Sequence, residues 1–324
     1  MLLSTKTIEE MLVKGDYFSG EAVAKELGIS RTAVFKQILS LRKSGYNIEA
    51  ATGKGYRLVP RFDGILPLEI RLRNRARFFG KEIFVFESAD STQARLRELA
   101  DKGAGEGTVA IALQQSSGKG RMGHSWSSPK GGLWFSLLLR PSFRVSEIYK
   151  LTLLFGVAVA RALEGYGIKP RLKWPNDILV GGKKICGILI ETSAEPDRIE
   201  YVAVGIGLNV NFPASDLPSE FNARSASLCA ILGRRLDRAD LLTRILFESE
   251  GLYLGALREG FQSTIEGWRV ISCTIGREVS VYSYDRTVSG VAVDIDQDGS
   301  LIIKTKEGKK EKVYSGDVVF NQSE

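Results

Sequence analysis

The sequence predicts an α+β protein of three consecutive modules: a helical module ending in a hairpin, a mixed α/β middle and a small β-barrel. Three observations carry that reading. Residues 1–62 read helix, helix, helix, hairpin, with serines and glycines at the joints. Between 63 and 268, apolar strand runs alternate with longer amphipathic stretches. Residues 269–324 break into short alternating runs separated by turns.

The first helix is "TIEEMLVKG". The second, "SGEAVAKELGI", has Ser19 as its cap and Gly28 as its stop. The third, "SRTAVFKQILSLRKSG", is capped by Ser30 and ended by Gly45. On a helical wheel Val34, Ile38 and Leu41 share an inward face, with Thr32, Lys36 and Lys43 opposite. The turn "LGIS" has the length and glycine of a helix-turn-helix. "YNIEAATGKGYRLVP" then alternates around a glycine-rich tip, as a wing does. In such a module the start of the third helix reads bases, and nearby cations meet phosphates. Ser30, Arg31, Thr32, Phe35 and Lys36 are therefore the candidate DNA contacts, with Lys54 at the wing tip. A helical interaction domain with a charged face is the alternative. Pro60 and the run after it read as a linker.

In the middle, "EIFVFES", "TVAIALQQ" and "GGLWFSLLLRP" read as strands, and "STQARLRELADKG" as a capped helix. Residues 147–166 form a long helix. "RLKWPNDILVGGKKICGILIETS" reads as two strands around Gly181-Gly182, and "YVAVGIGLNV" as a further buried strand. Helices fill about 225–268. The tail, "EVSVYS", "TVSGVAVDIDQDGSLIIKT" and "KKEKVYSGDVVF", fits a barrel of about five strands with a turn at Asp298-Gly299.

Composition narrows the function classes. The hydrophobic share of 44% and charged share of 26% are those of an ordinary globular chain. A net charge of +7 suits a partner with phosphates without deciding for one. Cys186, Cys229 and Cys273 have neither disulfide-framework nor zinc spacing, and there is one histidine, so no protein-held metal is expected. Cys186 and Cys229 read as small core residues, and a reducing cytoplasm is the expected setting. "MLLSTKTIEEMLVKG" carries acids too early for a signal peptide. The longest apolar run, residues 151–160, falls short of the roughly twenty needed to span a bilayer, so no membrane role is expected.

Three segments carry chemistry. "QQSSGKGRMGHSWSSPKGG" is not a P-loop, because no Ser or Thr follows a motif lysine and no helix follows. Gly118, Gly120 and Gly123 have the Rossmann spacing, but a strand comes next. Glycines still let backbone N–H groups approach an anion, Lys119 and Arg121 add charge, and Trp126 offers a ring face. A solvated connector is the plain alternative. In "KWPNDI", Lys173 ends a strand beside a buried tryptophan and a proline turn, a place for an anion clamp or for a surface charge. Lys183 and Lys184 read as hairpin-tip charges. "ESADSTQ" is a helix start with Asp90 or Ser91 as cap, and such a start can also donate to a ligand.

In order and spacing, "DST", "QQSSGKGRMGHSW", "KWPNDI", "K-x-x-G-I-L-I-E" and "GIGLNV" together resemble the biotin protein ligases. With the N-terminal module, the chain resembles the bifunctional kind, ligase plus biotin operon repressor, along essentially its whole length. The resemblance implies a winged helix-turn-helix over 1–62, a class II synthetase-like ligase domain over 63–268 and an SH3-like barrel over 269–324. It implies biotin, ATP and Mg²⁺, with the metal brought by ATP, and biotinyl-5′-AMP as intermediate and co-repressor. A biotin carboxyl carrier protein is the implied acceptor, and operator DNA and a homodimer of the adenylate-bound form the implied partners.

By that likeness Ser91, Thr92, Gln93 and Gln114 would hold biotin, joined by Lys119, Gly120, Arg121 and Lys173 near its carboxylate. Lys173, Arg121 and Lys119 would be the catalytic cations. Gly118, Trp126, Asn176 and Asn209 would place ATP or the adenylate, and Asp177 would assist the acceptor lysine or the metal. Lys119 stands where the family usually has arginine, which removes a bidentate fork. His124 replaces another arginine, Met122 a frequently basic position, and Gln93 the usual asparagine. His124 reads better as a loop-closing or solvated residue than as a base. A biotin sensor without ligase activity and a lipoate ligase are the competing functions.

Overall fold

The computed structural model describes residues 7–195, 198–284 and 286–321. The chain divides into two compact units, residues 1–75 with 237–243, and residues 76–236 with 244–324.

The N-terminal unit holds α1 (Ile8–Leu12), α2 (Gly20–Leu27), α3 (Arg31–Lys43), β1 (Ile48–Ala51), β2 (Gly55–Leu58) and α4 (Pro67–Arg73). Ser19 Oγ accepts from the Glu21 and Ala22 N–H groups, and Ser30 Oγ from Ala33 N–H at 3.1 Å, so both expected caps form. Gly28 closes α2 in the left-handed region at φ 66°. Ile8, Leu12, Val23, Val34, Ile38, Ile48 and Leu58 make the core, with Leu41 packed against it. The inward face of α3 is therefore the one the wheel gives. β1 and β2 pair as the wing, and Phe18 and Tyr56 exchange backbone hydrogen bonds at 2.9 Å to extend it.

The stretch after Pro60 is more than a linker, because it contains α4. Leu68 enters the unit's core, and the fully buried Glu69 accepts from Arg61 N–H at 3.1 Å and pairs with the Arg61 and Arg73 guanidinium groups.

The second unit is built on a seven-stranded sheet. Its strands are β3 (Ile83–Phe86), β4 (Val109–Ala112), β5 (Leu133–Leu139), β6 (Arg171–Lys173), β7 (Asp177–Val180), β8 (Lys183–Glu195) and β9 (Arg198–Leu208). The spatial order is β3-β4-β5-β9-β8-β7-β6, with β3 and β4 parallel and the other pairs antiparallel. The segment read as two strands around Gly181-Gly182 is three, because the cis Trp174-Pro175 turn separates β6 from β7. Between the strands run α5 (Thr92–Asp101) and the largely buried α6 (Lys150–Glu164). α7 (Ser219–Asn222), α8 (Leu228–Leu232), α9 (Arg238–Glu259) and α10 (Gln262–Ile271) follow. Leu96 and Ala100 of α5 pack on Ala110, Leu138 and Ala203 of the sheet.

The tail is the expected five-stranded antiparallel element. It comprises β10 (Glu278–Tyr282), β11 (Thr287–Ile295), β12 (Leu301–Lys304), β13 (Lys310–Val313) and β14 (Asp317–Phe320), in the order β13-β12-β11-β10-β14. Val279, Val281, Ala292, Leu301, Ile303 and Val318 fill its core.

Gly55 sits at φ 96°, and a Cβ there would lie 1.9 Å from the Phe18 carbonyl oxygen. Gly53 is also left-handed, at φ 76°, but nothing lies within 4 Å of its Cβ position. Gly55→Ala is expected to destabilise the N-terminal unit by about 1–3 kcal/mol, and Gly53→Ala by less. Denaturant unfolding followed by circular dichroism compares the two; equal losses would mean that the wing does not depend on that close approach.

Candidate functional site

Alternate residues of a strand share one face of its sheet. Gly205 and Gly207 of β9 therefore line the same face. Ser136 of β5 and Leu189 of β8 flank Gly205, and Trp134 and Gly187 flank Gly207. Three of these six positions carry no side chain, and what covers them comes from elsewhere. A Cβ at Gly205 would lie 2.9 Å from Gln93 Cδ. One at Gly207 would lie 2.5 Å from Trp126 Nε1, and one at Gly187 would lie 3.0 Å from the same ring. The glycines of "GILIE" and "GIGLNV" thus make a bare floor on which Gln93 and the indole of Trp126 rest. Trp126 meets Trp134 edge-on, with ring centroids 6.4 Å apart.

At one end of the floor lies the start of α5. Ser91 occupies its cap position, but its side chain makes no capping bond. The neighbouring Asp90 accepts from Ser91 N–H and pairs with Arg95 at 3.2 Å, which holds its carboxyl below the usual range. Gln115 supplies the acceptor for the next donor: Thr92 N–H donates to its Oε1 at 2.7 Å, while its Nε2 donates to Ser128 Oγ at 2.8 Å. The buried Thr92 hydroxyl bonds Ser136 Oγ at 2.8 Å. Gln93 Nε2 donates to the Leu189 and Ala203 carbonyls at 3.0 and 3.3 Å, so this amide braces α5 on the sheet.

Gln114 lines a cleft of about 590 Å³ together with Ser88, Gln115, Trp126, Pro218 and Phe221. It is Gln115, however, that bonds the helix start. Sequence reasoning passed over Gln115, although alternation along "ALQQ" indicates that only one of the two glutamines can face α5.

The other end gathers charge. β6 and β7 are joined as an antiparallel pair by the "KWPND" turn, and the buried Trp174 anchors this turn by donating from its N–H to Thr274 Oγ1 at 2.9 Å and from Nε1 to the Gly299 carbonyl at 3.1 Å. Asn176 Nδ2 donates to the Ile188 carbonyl at 3.0 Å, and its Oδ1 accepts from Arg121 Nη1 at 3.4 Å. Lys173 Nζ lies 5.1 Å from the Phe320 ring centroid; burial pushes its pKa down, and Asp177 opposes the shift. Burial likewise pushes the Arg121 pKa down, and Asp317 and Asp177 oppose the shift. Lys184 is not a tip charge: it pairs with Asp177 at 2.7 Å and lies over the Trp126 ring at 5.1 Å.

The glycine-rich loop is a folded object. Gly120 N–H donates to the His124 carbonyl at 2.7 Å, His124 N–H to the Arg121 carbonyl at 3.0 Å, and Trp126 N–H to the Gly118 carbonyl at 2.8 Å. Met122 takes φ 52° at its apex. The Lys119 side chain stays exposed. His124 Nε2 lies 3.4 Å from Asp317 Oδ2, a partner invisible in the sequence.

Arg121, Trp126, Lys173, Asn176 and Asp177 are thus brought together. Ser91, Thr92 and Gln93 form the opposite corner. Asn209, two residues past Gly207, is buried and donates from Nδ2 to the Ala226 carbonyl at 3.1 Å. Its Oδ1 and Trp126 Nε1 are buried without hydrogen-bond partners in the structure. A buried acceptor and a buried donor beside a side-chain-free floor suit a flat ligand with polar edges. Among the described residues no group of three or more His, Cys, Asp or Glu could hold a metal.

The DNA candidates lie in the N-terminal unit. Arg31, Thr32, Phe35 and Lys36 are exposed along the start of α3, and Ser30 spends its hydroxyl on the cap. Lys54 at the wing tip lies 5.8 Å from the Tyr17 ring centroid. Among the described residues no helix is long and apolar enough to cross a membrane.

Comparison with known proteins agrees with this division. The model of the biotin/lipoate A/B protein ligase family matches residues 85–210, that of the biotin protein ligase C terminal domain residues 274–321, and an HTH domain residues 5–57. The bifunctional ligase/repressor BirA of Bacillus subtilis is 40% identical over 305 residues, covering 94% of each chain. Its namesake in Escherichia coli is 28% identical, covering 97% of this chain and 96% of that one. The biotin protein ligase from Aquifex aeolicus, solved in complex with biotin and ATP, superposes with a TM-score of 0.67 at 32% identity, covering 75% of this chain and 100% of that one. With a relative this similar along nearly the full length of both chains, the protein is a member of the biotin protein ligase family, in its bifunctional ligase/repressor branch.

Proposed function

We propose that this chain activates biotin with ATP, transfers it to a carrier-protein lysine, and represses transcription as a DNA-binding protein when it holds the adenylate. The observation that carries the reading is the cluster of Arg121, Lys173, Asn176 and Trp126 on a glycine floor, in a chain that also carries a winged helix-turn-helix.

The first step joins two anions. A biotin carboxylate oxygen attacks the α-phosphorus of ATP, the bond to the bridging oxygen breaks, and pyrophosphate leaves. The chain's part is electrostatic: Arg121 and Lys173, both withdrawn from water, offset the repulsion where solvent screening is weak. In the second step the acceptor amine attacks the acyl carbon, the acyl–oxygen bond to phosphate breaks, AMP leaves, and the amine gives up a proton. Lys173 serves the phosphate oxygens in both steps, and Lys119, Gly118 and Gly120 complete the anion contacts as the loop closes over the intermediate and keeps water from the mixed anhydride.

At the other corner, Ser91, Thr92 and the glutamine pair 114–115 hold the biotin ring, and the amide of Gln115 supports this assignment better than that of Gln114. Gln93 acts by bracing α5. Trp126 and Asn209 flank the adenylate, whose polar edges would satisfy the two unpartnered atoms. Magnesium, arriving with ATP, would offset the charge of the triphosphate. Asp177, tied to Lys184, is the carboxylate nearest this role.

Arg31, Thr32, Phe35 and Lys36 face the DNA, with Lys54 on a flanking phosphate. The working modules are residues 1–62, 63–268 and 269–324. The adenylate-bound form acts as a homodimer on a two-fold site, in the cytoplasm.

Incubation with biotin, ATP, Mg²⁺ and a biotin carboxyl carrier domain should add one biotinyl group to the acceptor by intact mass. An unchanged mass would overturn the enzymatic reading, and competition by lipoate would redirect the substrate. Lys173→Ala should lower ligation about a hundredfold or more with the melting temperature retained; near-normal turnover would remove Lys173 from the mechanism. Arg31→Ala and Lys36→Ala should weaken operator binding and flatten its salt dependence by about one unit of slope each, with adenylation intact. Gel shifts at several salt concentrations check this, and lost adenylation in either variant would mean that the two activities are not separable.

A further inference from the structure

We propose that Asp317, at the start of β14, is a positioning residue for the ligase reaction: it holds the glycine-rich loop closed through Arg121 and His124. The proposal rests on the enzymatic reading above for its role in turnover, and on geometry alone for the contact itself.

The two oxygens of one carboxylate serve two side chains of the loop. Arg121 Nη1 lies 3.9 Å from Asp317 Oδ1, and His124 Nε2 lies 3.4 Å from Asp317 Oδ2. Arg121 Nη1 also donates to the Gly316 carbonyl at 3.2 Å. The loop side is fixed by its own backbone, through the reciprocal bonds that join residues 120, 121 and 124. The barrel side is fixed by the sheet. Asp317 pairs with Tyr282, and Gly316 adopts φ 151° where a Cβ would lie 2.7 Å from Val281 Cγ1 and 2.8 Å from the Tyr282 carbonyl oxygen. Only a glycine keeps the 316 carbonyl turned to Arg121 at this approach.

The two contacts differ in weight. The Arg121 side chain is 21% exposed, so removing the Asp317 charge leaves a half-buried cation poorly compensated. The His124 side chain is 70% exposed, so its contact is screened and worth less. Arg121 also bonds Asn176, so the same guanidinium ties the barrel to the "KWPND" turn and to the loop. Asp317 contacts the catalytic cations through Arg121 and adds a smaller electrostatic influence at Lys173, which makes it a positioning residue.

The test uses the full chain carrying Asp317→Asn, which keeps the shape and removes the charge. Without ligand, tryptic cleavage after Arg121, read by intact mass, should be faster than in the wild type by about three- to tenfold, the scale of an ion pair lost at a partly buried cation. The preformed biotinyl-adenylate should dissociate faster by a similar factor. The KM for ATP should rise while kcat for transfer from the bound adenylate stays near wild type, and Asp317→Glu should restore part of each effect. His124→Ala alone should speed cleavage about two- to threefold, and should add nothing in the Asp317→Asn background. Wild-type cleavage in Asp317→Asn would overturn the latch, and a full additive effect of His124→Ala would remove the histidine from it. If the wild type forms no adenylate, the enzymatic reading fails, and the ligand-free cleavage rates still decide the contact.

Discussion

The site depends on a stretch of sheet from which side chains have been removed. Gly187, Gly205 and Gly207 lie on adjacent strands in the middle of a seven-stranded sheet, and the residues above them come within 2.5–3.0 Å of where a Cβ would stand. Everything else is arranged around that surface. α5 is drawn onto it by Gln93, the loop folds down onto it through Trp126, and the charged groups collect at its far edge. A side chain at Gly205 would push the Gln93 amide off its carbonyl partners, and one at Gly187 or Gly207 would lift the Trp126 ring.

The sequence disclosed most of this architecture and less of its wiring. Caps, glycine stops and the wheel of α3 specify the N-terminal unit because each acts within a few residues. The tail was legible from alternation and turns for the same reason. Contacts that cross the fold were not. Lys184 looks like a hairpin-tip charge until β7 brings Asp177 beside it. His124 has no partner within reach along the chain, because Asp317 lies nearly two hundred positions away. The proline turn after Lys173 is visible in the sequence, but the antiparallel pairing of the segments on either side of it, which makes Arg171–Lys173 and Asp177–Val180 two strands, is not. Gln115 was within reach of the sequence: in an extended segment only one of two consecutive glutamines can face the helix start.

The chain uses positive charge in two physical settings. On α3 and the wing the cations are exposed, where salt screens them and where they can exchange with the ions around a polyphosphate. At the edge of the glycine floor burial lowers the pKa of Arg121 and Lys173, and Asp177 and Asp317 oppose that shift. The first arrangement favours fast, reversible association. The second favours a fixed field, at the cost of holding charge out of water.

The glycine floor has a bearing on the lifetime of the protein. Glycine inside a strand is less favourable than alanine by roughly 0.5–1 kcal/mol. A ligand bound beside the floor supplies buried area and partners for the Trp126 and Asn209 atoms that the chain itself leaves unsatisfied. Occupancy and folding are then linked, since a molecule bound only to the native state deepens the native well by mass action. Cells short of that molecule would hold a population that opens more often and is degraded sooner, so supply of the small molecule would set the abundance of its own receptor as well as its state.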